Sequence, residues 1–177
     1  MGIKLETTNI EGAFFIQHDS YLDERGSFYE IANQDILVKT NFPLINKVNI
    51  SKSNFGVLRG LHYQIKEPQL KLISCIKGKI IDFAVDVRKD SNTFGQVIQL
   101  ELNEDKPESL FLPLGVAHGF LSLSETSEVL YLVSGTYRKD LERGIDYKSL
   151  DLILPIEPTL INERDLNWPR FKEAEYC

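Results

Sequence analysis

Ile80-Ile81-Asp82-Phe83-Ala84-Val85-Asp86-Val87-Arg88 has a period of two: Ile81, Phe83, Val85 and Val87 fall on one side, Asp82 and Asp86 on the other. A helix would scatter these apolar side chains around its axis, so the stretch predicts a β-strand. Ile98-Gln99-Leu100-Glu101-Leu102 alternates in the same way, as does the shorter Leu121-Ser122-Leu123. Val129-Leu130-Tyr131-Leu132-Val133 is apolar throughout and predicts a strand covered on both faces. Between these runs lie turn signals: Lys77-Gly78-Lys79, Asn103-Glu104-Asp105-Lys106-Pro107, Pro113-Leu114-Gly115 and Ser134-Gly135. Their spacing is that of an all-β sandwich or barrel. Only Gln34 to Lys39 and the C-terminal tail predict short helices. No repeat, linker or low-complexity stretch divides the chain, so residues 1–177 are expected to form one antiparallel β-sandwich or jelly-roll domain.

A chain of 177 residues is long enough to bury one substantial core and short for two full domains. No apolar run approaches the roughly 20 residues that a membrane span requires. Met1-Gly2-Ile3-Lys4-Leu5-Glu6 lacks the apolar stretch of a secretory signal, so a cytoplasmic protein is expected and the glycosylation pattern Asn49-Ile50-Ser51 is a chance match. Two cysteines, Cys75 in an apolar stretch and Cys177 at the end, predict a buried thiol and a tail thiol rather than a disulfide. The net charge of −6 argues against a nucleic-acid binder, because phosphate backbones require clustered Lys and Arg.

A jelly roll offers a mouth where inward-facing polar side chains can meet a ligand. Asp82 and Asp86 would line the concave face if the apolar face of their strand packs between the sheets. His62 follows Arg59-Gly60-Leu61 and precedes Tyr63-Gln64; His118 follows the turn Pro113-Leu114-Gly115-Val116-Ala117 and enters the next strand. Two histidines near small-residue turns in one β domain are candidates for chemistry. A metal-binding version would use His62, Glu67 and His118, but Gln64 stands where a second imidazole would be wanted, and an amide is a poor transition-metal ligand. A metal-free histidine base needs an orienting acid, a proton donor and a cation to hold developing negative charge. Asp82 or Asp165 can supply the first, Tyr131 or Tyr137 the second, and Lys71 or Arg59 the third.

Several ordered segments resemble the dTDP-4-dehydrorhamnose 3,5-epimerase family: Asp23-Glu24-Arg25-Gly26-Ser27-Phe28-Tyr29-Glu30, Asn49-Ile50-Ser51-Lys52-Ser53, Gly56-Val57-Leu58-Arg59-Gly60-Leu61-His62-Tyr63-Gln64, Lys71-Leu72, Asp82 to Arg88, Thr93-Phe94-Gly95, Pro113 to Phe120, and Leu130-Tyr131. The resemblance implies a cupin-type jelly-roll homodimer in dTDP-rhamnose biosynthesis, inverting C3, C5 or both in a nucleoside-diphosphate 4-keto-6-deoxy sugar without metal or other cofactor. It implies His62 as the base, Tyr131 as the acid on the opposite ring face, Asp165 as the residue orienting His62, and Lys71 as the stabiliser of the enolate oxygen. Arg25 and Arg59 match diphosphate contacts. Phe28, Glu30 and Asn49 match positions near the nucleoside, some reaching in from a second subunit, and His118 and Glu142 match further ligand contacts. Lys47 and Arg164 join the substrate-binding set as departures: the family usually has Gln-Asp-Asn where this chain reads Lys47-Val48-Asn49, and Lys at the place of Arg164. A lysine cannot accept a hydrogen bond, which leaves the nucleotide open among dTDP, CDP, UDP and GDP. A 3,4-ketoisomerase and a metal-dependent or sugar-sensing cupin are the alternatives.

Overall fold

The computed structural model describes residues 2–177. In chain order the strands are β1 (Ile3–Thr7), β2 (Phe14–His18), β3 (Ser20–Asp23), β4 (Gly26–Tyr29), β5 (Lys47–Asn54), β6 (Val57–Gln64), β7 (Lys71–Lys77), β8 (Lys79–Asp86), β9 (Val97–Asn103), β10 (Glu108–Leu112), β11 (Val116–Ser122), β12 (Thr126–Val133), β13 (Glu142–Gly144) and β14 (Leu160–Ile161). One sheet has the order β1-β2-β10-β7-β12-β5 and the other β13-β6-β11-β8-β9, with β14 added parallel to β6. All other pairings are antiparallel, and β3 with β4 forms a separate hairpin. This is the expected jelly-roll architecture, an all-β fold with a few short helices. The first of these, α1 (Gln34–Lys39), lies where the sequence predicts it. The Asn33 side chain accepts from the Ile36 amide at 3.1 Å, Asp35 and Lys39 complement the helix ends, and Ile36 is buried against the outer face of the first sheet.

The strand with the alternation of Ile80 to Arg88 is β8, and its apolar side packs away from the space between the sheets rather than into it. Phe83, Val85 and Val87 do not face the other sheet. They are buried beneath the C-terminal segment, against Leu152, Leu154, Phe171 and Tyr176 among others. The other face, with Ile80, Asp82 and Ala84, is the one that looks into the space between the sheets. The alternation was therefore not that of a half-solvated strand: both faces are covered, and the acidic face is the inner one. Asp82 is buried there beside His118. Asp86 is buried at the strand end, where its carboxylate accepts from Arg88, Ser91 and Thr93 and secures the following turn. These bonds outweigh the effect of burial and hold its carboxyl down to about 2.

The junction of β6 and β11 decides what faces the interior. His118 pairs with His62, and two residues further along β11, Phe120 pairs with Arg59, three residues back on β6. The extra residue on β6 is a bulge, and it brings Arg59 and His62 onto one face, where an unbroken strand would put them on opposite faces. Gly60 sits in the bulge at φ +107°, and a Cβ there would lie 2.6 Å from both Gly119 Cα and His118 O. Backbone, not a movable side chain, fills that space. Gly60→Ala is therefore expected to cost about 2 kcal/mol or more of stability, read as a lowered urea midpoint. An unchanged midpoint would mean that the close approach of β6 to β11 is not required.

Candidate active site

A cavity of about 470 Å³ opens between the two sheets, within the size range of small-molecule sites. The first sheet contributes Lys47, Asn49 and Ser51 from β5, Lys71 from β7 and Tyr131 from β12. The second contributes Arg59 and His62 from β6 and His118 from β11, and the segment around α2 (Glu163–Leu166) closes one side with Asn162, Arg164 and Asp165. Lys47, Asn49 and Ser51 share the inner face of β5 because they alternate with the outward Val48 and Ile50.

His62 Nε2 lies 2.7 Å from Asp165 Oδ1, and the Asp165 side chain has no solvent exposure. α2 places that carboxylate. Asn162 is its N-cap, accepting from the Asp165 amide at 2.7 Å, and Asp165 Oδ2 in turn accepts from the Gly60 amide at 3.0 Å. Burial alone would raise the Asp165 carboxyl; the bonds from His62 and Gly60 and the Arg164 guanidinium outweigh it and hold it below the usual carboxylate range. An ionised carboxylate can only accept, so the short bond calls for a proton on Nε2, and the neutral tautomer with that proton has its lone pair on Nδ1. Arg164 Nη2 also approaches Nε2, at 3.3 Å, while its Nη1 is held by Glu142 Oε2 at 2.6 Å.

A second pair lies deeper: His118 Nε2 is 2.8 Å from Asp82 Oδ2, both buried. Burial pushes the Asp82 carboxyl up, with His118 and Lys71 pulling it down. Lys71 donates from Nζ to the His62 carbonyl at 3.2 Å. Burial holds its ammonium down to about 8, against the opposing pull of Glu142 and Asp82. Tyr131 faces His118 and Asp82 from the opposite sheet, the one that also carries Lys71. Its ring meets His118 edge-on at 5.9 Å, its hydroxyl lies 3.3 Å from Ser51 Oγ, and burial pushes the phenol well above its ordinary value, so it is protonated at neutral pH. Arg59 is held by Ser53 Oγ at 2.9 Å and the Lys52 carbonyl at 3.0 Å.

Of the residues singled out in the sequence, His62, Asp165, Lys71, Tyr131, Lys47, Asn49, Arg59, His118 and Arg164 thus come together around one cavity. Glu142 reaches it through Arg164 and Tyr137, whose hydroxyl donates to Glu142 at 2.9 Å; Tyr137 also carries Lys47 Nζ over its ring at 5.0 Å. Arg25, Phe28 and Glu30 do not come to the cavity. Arg25 and Phe28 lie on the exposed β3–β4 hairpin, and Glu30 beyond it binds Asn33. The trio His62, Glu67 and His118 is not assembled either: each histidine has its own aspartate, and Glu67 points to Arg138. Gln64 is spent on backbone, donating to the Glu67 and Thr136 carbonyls and accepting from the Arg138 amide. Ser51, Gln69 and Asn162 were not among the expected site residues. The inward parity of β5 and the Asn-x-x-Asp cap were the signals for Ser51 and Asn162.

The family model described as dTDP-4-dehydrorhamnose 3,5-epimerase matches residues 7–173. The dTDP-4-dehydrorhamnose 3,5-epimerase of Shigella flexneri is 39% identical over 175 residues, 96% of each chain. A crystal structure of the enzyme of that name from Elizabethkingia anophelis has a TM-score of 0.91 and 37% identity, covering 98% of this chain and 99% of that one. A dTDP-6-deoxy-D-glucose-3,5-epimerase from Legionella pneumophila, solved in complex with dTDP-4-keto-L-rhamnose, has a TM-score of 0.93 and 31% identity over 98% and 95% of the two chains. With that match spanning nearly its whole length, the chain belongs to the dTDP-4-dehydrorhamnose 3,5-epimerase family.

Proposed function

We propose that this epimerase inverts the carbons flanking the C4 ketone of a dTDP-linked 4-keto-6-deoxy sugar, with His62 and Tyr131 as the base and acid. The observation that carries the reading is the placement of a carboxylate-held imidazole on one sheet and a protonated phenol on the other, with a buried ammonium between the sheets. The ketone acidifies the hydrogens at C3 and C5. His62 Nδ1 takes one of them, and the C–H bonding pair delocalises onto the ketone oxygen as an enolate. Lys71 holds that oxygen's charge, Asp165 steadies the imidazolium, and Tyr131 returns a proton to the same carbon from the opposite face, inverting it. Arg59 takes the diphosphate, Lys47 and Asn49 lie toward the nucleoside, and His118, Glu142 and Arg164 border the sugar.

Arg25, Phe28 and Glu30 fit this scheme as contributions from a second copy. The hairpin that bears two of them pairs only with itself among the described residues and exposes Tyr21, Leu22 and Phe28, a poor arrangement for an isolated chain. This exposure supports a homodimer, and sedimentation equilibrium is expected to return twice the chain mass of 20.3 kDa; the single chain mass would remove these three residues from the site. A cytoplasmic location is supported by the two free thiols. No helix among the described residues is long and apolar enough to cross a membrane.

NMR of the product tests the reaction. Inverted C3 and C5 with the ketone still at C4 is the expected result for the dTDP sugar. A ketone moved to C3 would make the chain a ketoisomerase, and turnover of only the CDP, UDP or GDP form would reassign the nucleotide and point to Lys47 as the cause.

A further inference from the structure

The sequence contains one tryptophan, Trp168, and it stands against the His62–Asp165 pair. Its indole N–H donates to Asp165 Oδ1 at 3.3 Å, the same oxygen that receives His62, and its ring meets the imidazole edge-on at 6.1 Å. The seat of that ring is specific. Gly144 on β13 is the ladder partner of His62 on β6, so a side chain at 144 would project beside the imidazole. The indole occupies that place instead: a Cβ on Gly144 would fall 2.3 Å from Trp168 Cε2 and 2.4 Å from Nε1. The backbone beyond is pinned as well, since the Asp146 amide donates to the Pro169 carbonyl at 2.8 Å. Gly144 has no positive φ that would by itself demand glycine, so space for the indole is what its missing side chain provides.

We propose that Trp168, seated in the gap left by Gly144, is a positioning residue that fixes the Asp165 carboxylate on His62 Nε2. The inference rests on the proposed catalytic role of His62 for its effect on rate, but the geometry it asserts can be read without turnover. A carboxylate oxygen with two donors is held in orientation; with the indole donor gone, it is free to turn toward Arg164 Nε, which already lies 3.5 Å away. Misplacement on this scale is worth factors of ten to a hundred in rate.

Two variants separate this role from simple packing. Trp168→Phe keeps a ring in the seat and deletes the N–H; Gly144→Ala keeps the N–H and pushes the ring out. In protein labelled with 15N-histidine, the His62 Nε2–H signal, identified by its loss in His62→Gln, is expected to exchange with water about tenfold faster in both variants than in the parent. In both, kcat is expected to fall about tenfold with KM within about twofold. The single-tryptophan emission of Gly144→Ala shifts to the red, reporting the displaced ring. If both variants keep the parent's Nε2–H exchange rate, with only a lowered melting temperature, Trp168 is packing and the proposal is overturned. A parent protein that turns over no 4-keto sugar would sink the proposed function, while the exchange comparison still decides this one.

Discussion

His62→Gln is expected to lower kcat by about 10³-fold while leaving the fold and the substrate affinity nearly intact. The magnitude follows from what the substitution removes. Glutamine can still donate its amide to Asp165 and occupy most of the imidazole's space on β6. It carries no lone pair basic enough to take a carbon-bound proton. The Asp165 carboxylate remains covered by Gly60 and Trp168, so no buried charge is orphaned to unfold the site. Initial rates measured by NMR give the loss, and circular dichroism shows whether the strands persist. A kcat within a few-fold of the parent, with the fold intact, means that another group is the base. His118 is the less accessible of the two imidazoles, since its side chain is 5% exposed against 24% for His62.

Lys71→Met is the second large effect and carries a pH signature. Burial holds the Lys71 ammonium down to about 8, so the group that would stabilise the enolate loses its charge within an accessible range. The parent's kcat should therefore fall as pH rises through about 8. The variant should lose about 10² to 10³ in kcat below that pH, and its profile should lack the basic limb. Stability moves the other way. The folded-state value lies below the unfolded one, so between about 8 and the unfolded value the unfolded chain binds more protons, and the parent's stability rises with pH there. Below about 8 the buried charge is a standing cost, which methionine removes. A higher melting temperature at pH 7 together with a lower kcat is the expected pair of results. A variant with an undiminished basic limb would assign that limb to another group.

The strand and turn pattern of the second half of the chain was legible because alternation and glycine turns are local properties. Val97–Asn103 and Thr126–Val133 form where the pattern predicts. The burial of those strands was not local. Nothing in Ile80 to Arg88 announces that residues 145–177 will cover its apolar side, so the acids were placed on the inner face for a different reason from the one that operates. The site was legible where a motif carried it. His62, Lys71, Tyr131 and Asp165, the four that the resemblance singles out, line one cavity although they come from four separate elements. The sharing of one face by Arg59 and His62 was hidden, because strand parity puts residues three apart on opposite sides until a bulge intervenes. Trp168 and Gly144 were hidden more deeply: they lie 24 residues apart in sequence and meet only because β13 and the chain after α2 both close over His62. Arg25, Phe28 and Glu30 stand apart from the cavity in the single chain, and nothing local to their segment announces that placement.

Solvent deuterium is the most direct probe of the central claim, that this chain inverts carbon centres by removing and returning protons next to a C4 ketone. Incubated in deuterated water with dTDP-4-keto-6-deoxyglucose, the protein is predicted to place deuterium at C3 and at C5 of the product, both inverted, with the ketone unmoved. A product carrying no deuterium at either carbon would mean that the protein exchanges no proton there and does not invert these centres by proton transfer.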